Sequence, residues 1–337
     1  MRVLHAIRSD GFAGVERHVC VLASAQCEAG IQVTVVGGDP DRMRGALPHA
    51  VTTVPARTTL QVARAVRGAP ADLVHAHMTA AELGATTATT GRQTPVVVTR
   101  HFAGPRGRSA GGALAARMVK PRVSGQIAIS GYVASRIEGR STVIYPGLLP
   151  RPLGTADVRG PRVLVAQRLE AEKATNVAVQ AFAGSGLAGL GWRLVVAGVG
   201  RQSAALEELA AAVGVSAAVD FVGRLSDLEA TMDTSSMLVA PCPVEGFGLT
   251  VLEAMAGGLP VVAAAAGAHL ETVGVAESAR LFTPGDVQAA GAQLRDLAGS
   301  EESRTAYGAT LRDVQLERFS LDRQVRDTLA FYDSVLA

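Results

Sequence analysis

Aromatic residues make up only 4% of the 337-residue chain, which leaves no rows of stacking platforms for single-stranded nucleic acid. An excess of one charge is equally lacking. Basic and acidic residues number 32 and 30, for a formal net charge of +2, too small to make nucleic acid the default partner. Cysteine appears three times, as Cys20, Cys27 and Cys242. The first two fall on one predicted helix, about 10 Å apart along its axis, too far for a disulfide. No CxxC pair offers a structural zinc site. No hydrophobic run approaches the length of a membrane span, and the opening MRVLHAIRSDG reads as a strand followed by charge and glycine, not a secretory leader. These absences predict a cytoplasmic, reduced, soluble enzyme, with peripheral contact at the inner membrane face left open. Lysine is scarce too: only Lys120 and Lys173 stand among the 32 basic residues. In a chain that uses arginine almost everywhere, a lysine marks a position that wants a compact ammonium.

What is present suits a globular α/β protein: 48% hydrophobic and 18% charged residues. The length exceeds what one core usually serves, so two domains are expected. Short β-branched runs alternate with Ala-rich amphipathic stretches, the pattern of βαβ units and parallel sheets. Predicted strands are Arg2–Ile7, Gln32–Gly37, Val51–Val54, Leu73–His77, Pro95–His101, Gln126–Ser130 and Thr142–Tyr145. The clearest helices among them are Gly14–Ala29, Thr79–Gly91 and Gly131–Gly139. Pro146 to Pro161, rich in proline and glycine, reads as a linker. The alternation then restarts with strands Arg162–Gln167, Arg193–Gly198, Val219–Gly223, Met237–Pro241 and Pro260–Ala264. Helices near Ala174–Ala183, Ser203–Val213 and Gly248–Ala256 separate several of these, and Ser320 to Ala337 reads as a closing helix with Ser320 as its N-cap. In doubly wound sheets ligands sit at the carboxyl ends of strands, so the residues just past each strand are where chemistry is sought.

The strongest such signal is PCPVEGFGLTVLEAMAGGLPVV, Pro241 to Val262. A strand ends, Glu245 follows, Gly246-Phe247-Gly248 opens a helix, and Glu253 lies about a turn into it. Glycines let backbone N–H groups approach a ligand, and a helix N-terminus favours an anion such as phosphate. A carboxylate beside phosphate meets hydroxyls instead, which gives Glu245 sugar hydroxyls and Glu253 a ribose. The plainer alternative is a glycine turn with solvated acids. The second signal, Val163 to Ala183, delivers Arg168 from a strand end and Lys173 at a helix opening, two cations suited to a diphosphate leaving group; surface charges paired with Glu170 and Glu172 are the alternative. GFAGVE, Gly11 to Glu16, is a weak phosphate-loop signal. His101 ends a strand at the ligand edge, where an imidazole can hydrogen-bond a sugar, although a lone strand-end histidine is more often structural. AGVGRQS, Ala197 to Ser203, lacks the third glycine of a dinucleotide fingerprint, and His75 and His77 have i, i+2 spacing that suits a metal.

Pro241 to Val262 resembles the donor-site motif of family 4 retaining glycosyltransferases of the GT-B fold (glycosyl transferases group 1), with two glutamates bracketing Gly-Phe-Gly-Leu and Ala-Met-Ala-x-Gly-x-Pro-Val-Val after them. The resemblance implies that Glu245 contacts the donor sugar, that Glu253 contacts the nucleotide ribose, and that the N–H groups of Gly248, Leu249 and Thr250 face the diphosphate. Arg168 and Lys173 match the family's diphosphate-holding arginine and lysine, with Gln167 and Ala174 standing where glycines are usual. GFAGVE resembles the family's G-G-x-E loop, Ala13 replacing the first glycine and Gly14 keeping the second. Arg224 and Leu225 fall where the family contacts the base, and His101 where it has a cleft histidine. His75 and His77 match an H-x-H that binds no metal, and no metal or cofactor is expected.

The fold so implied is two Rossmann-like, doubly wound α/β domains facing each other across a cleft. Residues 1–150 form the acceptor side, 151–318 the nucleotide-sugar side, and 319–337 a closing helix packing back on the first domain. The activity implied is retaining transfer of a hexose-type sugar from a nucleotide-diphosphate sugar, with UDP as carrier, to a small-molecule, lipid or glycan acceptor. A sugar-nucleotide epimerase and a non-catalytic nucleotide-sugar-binding protein are the alternatives. Between Glu82 and Glu138 no acidic residue occurs, while arginines and Lys120 recur. This stretch reads as a solvated basic face, or as a contact for an anionic acceptor or acidic lipid headgroups. The Ala-, Gly- and Arg-rich composition points to a high-GC bacterial gene, where natural-product decoration and envelope glycan assembly are both ordinary contexts.

Overall fold

The computed structural model of the chain describes residues 1–9, 11–107, 119–152 and 159–337. It forms two compact units: Met1–Gly147 together with Leu321–Ala337, and Leu148–Ser320. The first holds seven parallel strands, β1 (Arg2–Ile7), β2 (Gln32–Val36), β3 (Thr52–Val54), β4 (Leu73–His77), β5 (Val96–Arg100), β6 (Gly125–Ala128) and β7 (Thr142–Val143), in the order β3-β2-β1-β4-β5-β6-β7. The second holds six, β8 (Arg162–Ala166), β9 (Arg193–Ala197), β10 (Val219–Gly223), β11 (Met237–Ala240), β12 (Val261–Ala264) and β13 (Arg280–Phe282), in the order β10-β9-β8-β11-β12-β13. Both units wind outward from their first strand and then reverse, the doubly wound Rossmann-like order. The reversal lies between β1 and β4 in one sheet and between β8 and β11 in the other, and there the connections leave in opposite directions and open a crevice for ligand.

Each predicted strand has a counterpart; β13 does not appear among the predictions. Its residues Arg280–Phe282 start with an arginine and bury only Phe282, so no apolar run marks the strand. All-parallel sheets are covered on both faces, so their strands read as continuous apolar runs. In β1, Leu4 and Ala6 pack with Val62, Val66, Val74 and Ala85 on one face, while Val3 and Ile7 join separate clusters on the other. That second face is covered by the helix Gly14–Glu28, which buries Val19, Cys20, Leu22 and Ala23, and by the last helix, Leu321–Leu336. Leu22 packs with Leu321 and Val325, Tyr332 is fully buried among Val3, Leu73 and Val97, and Gln324 accepts the Gly147 N–H at 2.8 Å. The helix Thr59–Gly68 begins with a reciprocal cap: the Thr58 hydroxyl accepts the Gln61 N–H at 3.2 Å, and the Gln61 amide oxygen accepts the Thr58 N–H at 3.2 Å.

In the second unit the helices Thr175–Ser185 and Val287–Ala298 pack closely against each other, and a Cβ at Gly291 would lie 2.8 Å from the Ala181 carbonyl oxygen. Phe247 meets Phe319 edge-on at 5.6 Å. The predicted linker lies partly outside the described residues, at 153–158; the chain passes between units at Gly147 and Leu148 and returns after Ser320. Leu148 donates its N–H to the Phe319 carbonyl at 3.0 Å, so the two ends of the second unit lie side by side. All three cysteines are free thiols. Among the described residues no helix is long and apolar enough to cross a membrane.

Candidate active site

At the crevice of the second sheet, β8 and β11 deliver the residues singled out by their spacing. After β8 the chain turns through Gln167 and Arg168 into a short 3-10 turn, Ala171–Lys173, before the helix Thr175–Ser185. After β11 comes Glu245, and Gly248 caps the helix Leu249–Ala256. The Lys173 ammonium and the Glu245 carboxylate meet at 2.7 Å, their side chains 16% and 21% exposed. Burial pushes the Glu245 carboxyl up, but the Lys173 charge and hydrogen bond outweigh it and hold it below the usual carboxylate range. Burial lowers Lys173 likewise, and Glu245 raises it above an ordinary lysine. Both groups are therefore charged at neutral pH. Arg168 is 63% exposed and pairs with Glu172 at 3.0 Å, the surface-pair alternative raised for it, whereas Lys173 turns to the partner predicted to hold sugar.

Several contacts fix this pair. Gln167, in place of a glycine, donates its side-chain amide to the Lys173 carbonyl and the Thr175 hydroxyl, both at 2.9 Å. The Cys242 thiol donates to the Glu172 carbonyl at 3.4 Å, tying the β8 loop to the β11 loop. Ala174 stands in the left-handed region at φ 53°, the conformation that favours the glycine it replaces. On the other side Glu245 Oε1 accepts the Gly246 N–H at 3.2 Å, and its carbonyl accepts from Ala268 at 3.0 Å. Gly267 permits that approach: a Cβ there would lie 2.7 Å from the Glu245 carbonyl oxygen. The charges of buried His269 and of Glu245 favour each other, Glu245 raising the imidazole and His269 lowering the carboxyl, although burial keeps His269 below an ordinary histidine.

Gly248 takes φ 87° and begins the helix with no side chain of its own, which leaves room for an anion at the helix start. Leu249, Thr250 and Glu253 are half-buried on that helix, and Phe247 is buried beneath its start. The Gly198-Gly200 pair has a backbone role instead: a Cβ at either would collide with the Gln167 or Leu169 carbonyl, at 1.9 and 2.2 Å. Arg224 and Leu225 follow β10 directly, also at the carboxyl edge.

In the first unit the N–H of Ala13 is accepted by Glu16 at 2.8 Å and the Ser9 hydroxyl donates to the same carboxylate, so GFAGVE closes on itself just before and within the first turn of the helix beginning at Gly14. Asp10 lies outside the described residues. Behind His101 stands a buried histidine array that the sequence reading missed. Parallel register sets His5 beside His75 and Ile7 beside His77. Gln26 Oε1 lies 2.7 Å from His5 Nε2, His5 Nδ1 lies 3.1 Å from His77 Nε2, and His77 Nδ1 lies 3.1 Å from His101 Nε2. The ring of His18 meets that of His101 edge-on at 5.0 Å. Burial pushes His5 and His18 down to about 4, and His75, His77 and His101 well below an ordinary histidine, so all five are neutral at pH 7. Two triplets, His5-His75-His77 and His18-His77-His101, each bring three ring nitrogens within 4.8 Å of one another, the residue type and number of a transition-metal site; His77's nitrogens are already shared with its neighbours. A histidine inside an apolar strand run was the available signal.

The stretch between Glu82 and Glu138 is not a uniformly basic face. Arg100 and Arg106 are buried. Arg106 binds Glu82 and Glu138, each at 2.6 Å, and Arg100 reaches Glu138 at 3.2 Å. The two acids that bracket the stretch thus pair with its two buried arginines, Arg100 and Arg106, contacts hidden by separations of 24 and 32 residues for Arg106. Burial lowers Arg106, and its two carboxylate partners raise it above an ordinary arginine. Arg136 stacks over Tyr132 at 4.3 Å, and Arg92 is exposed. Arg108, Arg117 and the Lys120 side chain lie outside the described residues.

Residues 154–313 match the family described as glycosyl transferases group 1, and residues 12–148 match glycosyltransferase family 4. The MMP alpha-(1->4)-mannosyltransferase of Mycolicibacterium hassiacum is 38% identical over 134 residues, which are 39% of this chain and 33% of that protein. The 2-deoxystreptamine glucosyltransferase of Streptomyces kanamyceticus is 28% identical over 190 residues, 56% of this chain and 49% of its own. The matched segments thus span between a third and a half of these relatives. Anabaena HepE, solved in complex with UDP, superposes with a TM-score of 0.80 at 19% identity, covering 99% of this chain and 100% of that one. Sucrose-phosphate synthase from Thermosynechococcus elongatus does so with a TM-score of 0.80 at 18% identity, covering 99% and 98%. Both likenesses show the fold.

Proposed function

The chain belongs to the GT-B glycosyltransferases, and on that premise we propose that it transfers a hexose-type sugar from a nucleotide-diphosphate sugar, with UDP as carrier, to a small-molecule, lipid or glycan acceptor. The observation that carries this reading is the Lys173–Glu245 pair. Two residues 72 apart converge at 2.7 Å, where a doubly wound sheet reverses and ligand sites form. Around them stand the helix start at Gly248 and the half-buried Glu253. This set matches the chemistry of a sugar diphosphate: cations for the phosphates, a carboxylate for hydroxyls, and N–H groups for the leaving oxygens.

In this proposal Arg168, Lys173 and the N–H groups of Gly248, Leu249 and Thr250 stabilise the charge that develops on the leaving diphosphate. Glu245 orients the sugar, Glu253 accepts from the ribose, Arg224 and Leu225 contact the base, and His101 hydrogen-bonds the transferring sugar. The positive charge is the protein's own, so transfer proceeds without a metal. The chain assigns no carboxylate as covalent nucleophile, and attack guided by the departing phosphate gives retention of configuration. UDP is favoured because related folds are solved with it.

The test is thermal stabilisation by UDP, GDP, ADP and their sugars, on wild type and on Glu253→Ala. A uridine-selective rise of several degrees that shrinks in the variant is expected, since ligand at one hundred times its Kd stabilises by about 2.7 kcal/mol. No rise with any nucleotide overturns the donor-site reading. Binding without product on an acceptor screen favours the sensor alternative, and conversion of the sugar nucleotide with no acceptor favours an epimerase. The anomeric proton coupling of the product decides retention, and turnover unchanged by a chelator is expected.

A further inference from the structure

We propose that Gln26 is a positioning residue that sets the tautomers of His5, His77 and His101 in series, so that His101 presents an unprotonated Nδ1 as a hydrogen-bond acceptor. The proposal deepens the role assigned above to His101 and rests on it only for its catalytic consequence.

Gln26 stands at one end of the array. An amide oxygen only accepts, so His5 Nε2, 2.7 Å from Gln26 Oε1, carries the proton. A neutral imidazole has one donor and one acceptor, which makes His5 Nδ1 the acceptor. It faces His77 Nε2 at 3.1 Å, so that nitrogen donates and His77 Nδ1 accepts. His101 Nε2, 3.1 Å from His77 Nδ1, is therefore the donor, and His101 Nδ1 keeps its lone pair. The rings are buried in a unit where charging any of them is unfavourable, so each must choose one tautomer.

The reverse register, with the Gln26 amide turned over, is chemically self-consistent as well, and the distances decide between the two. Turned over, the amide would bring nitrogen to nitrogen at 2.7 Å, well inside the 3.1 Å of the two histidine–histidine bonds in the same array. The second arm agrees. Gln26 Nε2 donates to the Tyr332 hydroxyl at 3.3 Å, a length that fits N–H···O better than the O–H···O bond of the reverse arrangement. Tyr332 is then free to donate to His75 Nδ1 at 2.6 Å, and His75 Nε2 donates to the Thr99 hydroxyl at 2.6 Å. Gln26 thus stands at the fork of two chains and assigns a proton in each.

The consequence is a recognition rule. A neutral histidine that offers a lone pair takes a hydroxyl proton and gives no charge to a phosphate, so the chemical class at His101 is a hydroxyl-bearing sugar rather than an anion. The experiment is long-range 15N–1H correlation of the histidine rings in the full chain at pH 7.5, with kcat and KM, for wild type, Gln26→Met, Gln26→Glu and His101→Ala. Wild type is expected to show His5, His77 and His101 each protonated at Nε2. Gln26→Met should give mixed tautomers at His101 and a kcat reduced about tenfold, with UDP stabilisation unchanged. Gln26→Glu, which keeps an acceptor oxygen, should restore the wild-type tautomer. A wild-type His101 protonated at Nδ1 overturns the proposal even if the variants fail to fold, as does an unmoved His101 tautomer in folded Gln26→Met. Full activity in His101→Ala removes the catalytic role of His101 while leaving the tautomer assignment standing.

Discussion

Acidification from pH 7 to 5 should destabilise the first unit far more than an ordinary surface would predict. Six of the seven histidines are buried, five of them in one array, and no carboxylate is among their described hydrogen-bond partners. Burial holds His5 and His18 at about 4, against about 6.5 for an exposed histidine. A lowered folded value means that the unfolded chain binds the extra proton. The stability is whole above pH 6.5 and is lost as pH falls toward 4. For one such group, proton linkage gives about 1.8 kcal/mol lost between pH 7 and 5, and His5 and His18 together give about 3.6 kcal/mol. His75, His77 and His101 act in the same direction, and a typical domain is held by only about 5–15 kcal/mol. Carboxylates lowered by their partners, such as Glu138 and Glu245, release their contribution only below about pH 4.3, which leaves the window to the histidines. Urea unfolding at pH 7, 6 and 5, read by far-UV circular dichroism and by tryptophan fluorescence, separates the units, because the single tryptophan, Trp192, lies in the second. The dichroism transition should move steeply with pH and the fluorescence transition much less, since His269 is the one buried histidine there. A total loss under about 1 kcal/mol between pH 7 and 5 would show that burial does not hold these rings neutral.

Lys173→Met leaves the Glu245 carboxylate without its 2.7 Å partner and should destabilise the second unit by about 2 kcal/mol, below the range for fully buried pairs because each side chain keeps some exposure. Glu245→Gln in the same chain should recover part of that loss, and a double-mutant coupling under about 0.3 kcal/mol would show that the contact carries no energy. If Lys173 and Arg168 hold diphosphate, kcat/KM falls at least about tenfold for Lys173→Met and for Arg168→Ala, from charge-assisted bonds worth roughly 1.5–3 kcal/mol each; unchanged rates in both would remove that assignment. Ala174→Gly should raise the melting temperature by about 2–4 °C, since relief of a left-handed alanine is worth about 1 kcal/mol, and a lower melting temperature would mean that the methyl group's packing outweighs the strain.

The strands were legible because a parallel sheet buried on both faces writes itself as short apolar runs, and Val96–Arg100 or Val261–Ala264 admit few other readings. Residues at single loops were legible too, since a glycine or a lone lysine past a strand has a local reason to be there. What the sequence withheld are the meetings. Lys173 and Glu245 were each readable from their neighbours, but their contact depends on β8 lying beside β11, which is strand order and leaves no local trace. The same holds for Arg106 and its two glutamates, which looked like an unrelieved run of positive charge until the fold closed it. The glycines of AGVGRQS fell short of a dinucleotide fingerprint, and the fold supplies a reason for them: the carbonyls of Gln167 and Leu169 pass too close for a Cβ.

The histidine array marks the limit of such reading for a physical reason. Each of its members is ordinary alone: Gln26 is one of several polar residues on the first helix, His5 one interruption of a strand, Tyr332 one of two aromatics in the last helix. Buried together they cannot be independent. A charged ring is excluded by burial, a neutral ring must donate at one nitrogen and accept at the other, and an incorrectly placed proton leaves a buried polar atom unsatisfied at a cost of about 1–3 kcal/mol. Every ring therefore inherits its state from the next, and the chain of inheritance ends at the one group that cannot change roles without turning over, the amide of Gln26. The fold converts a side chain three hydrogen bonds away into a determinant of what His101 can recognise, and no motif records it because the coupling lies in proton positions rather than in residue types.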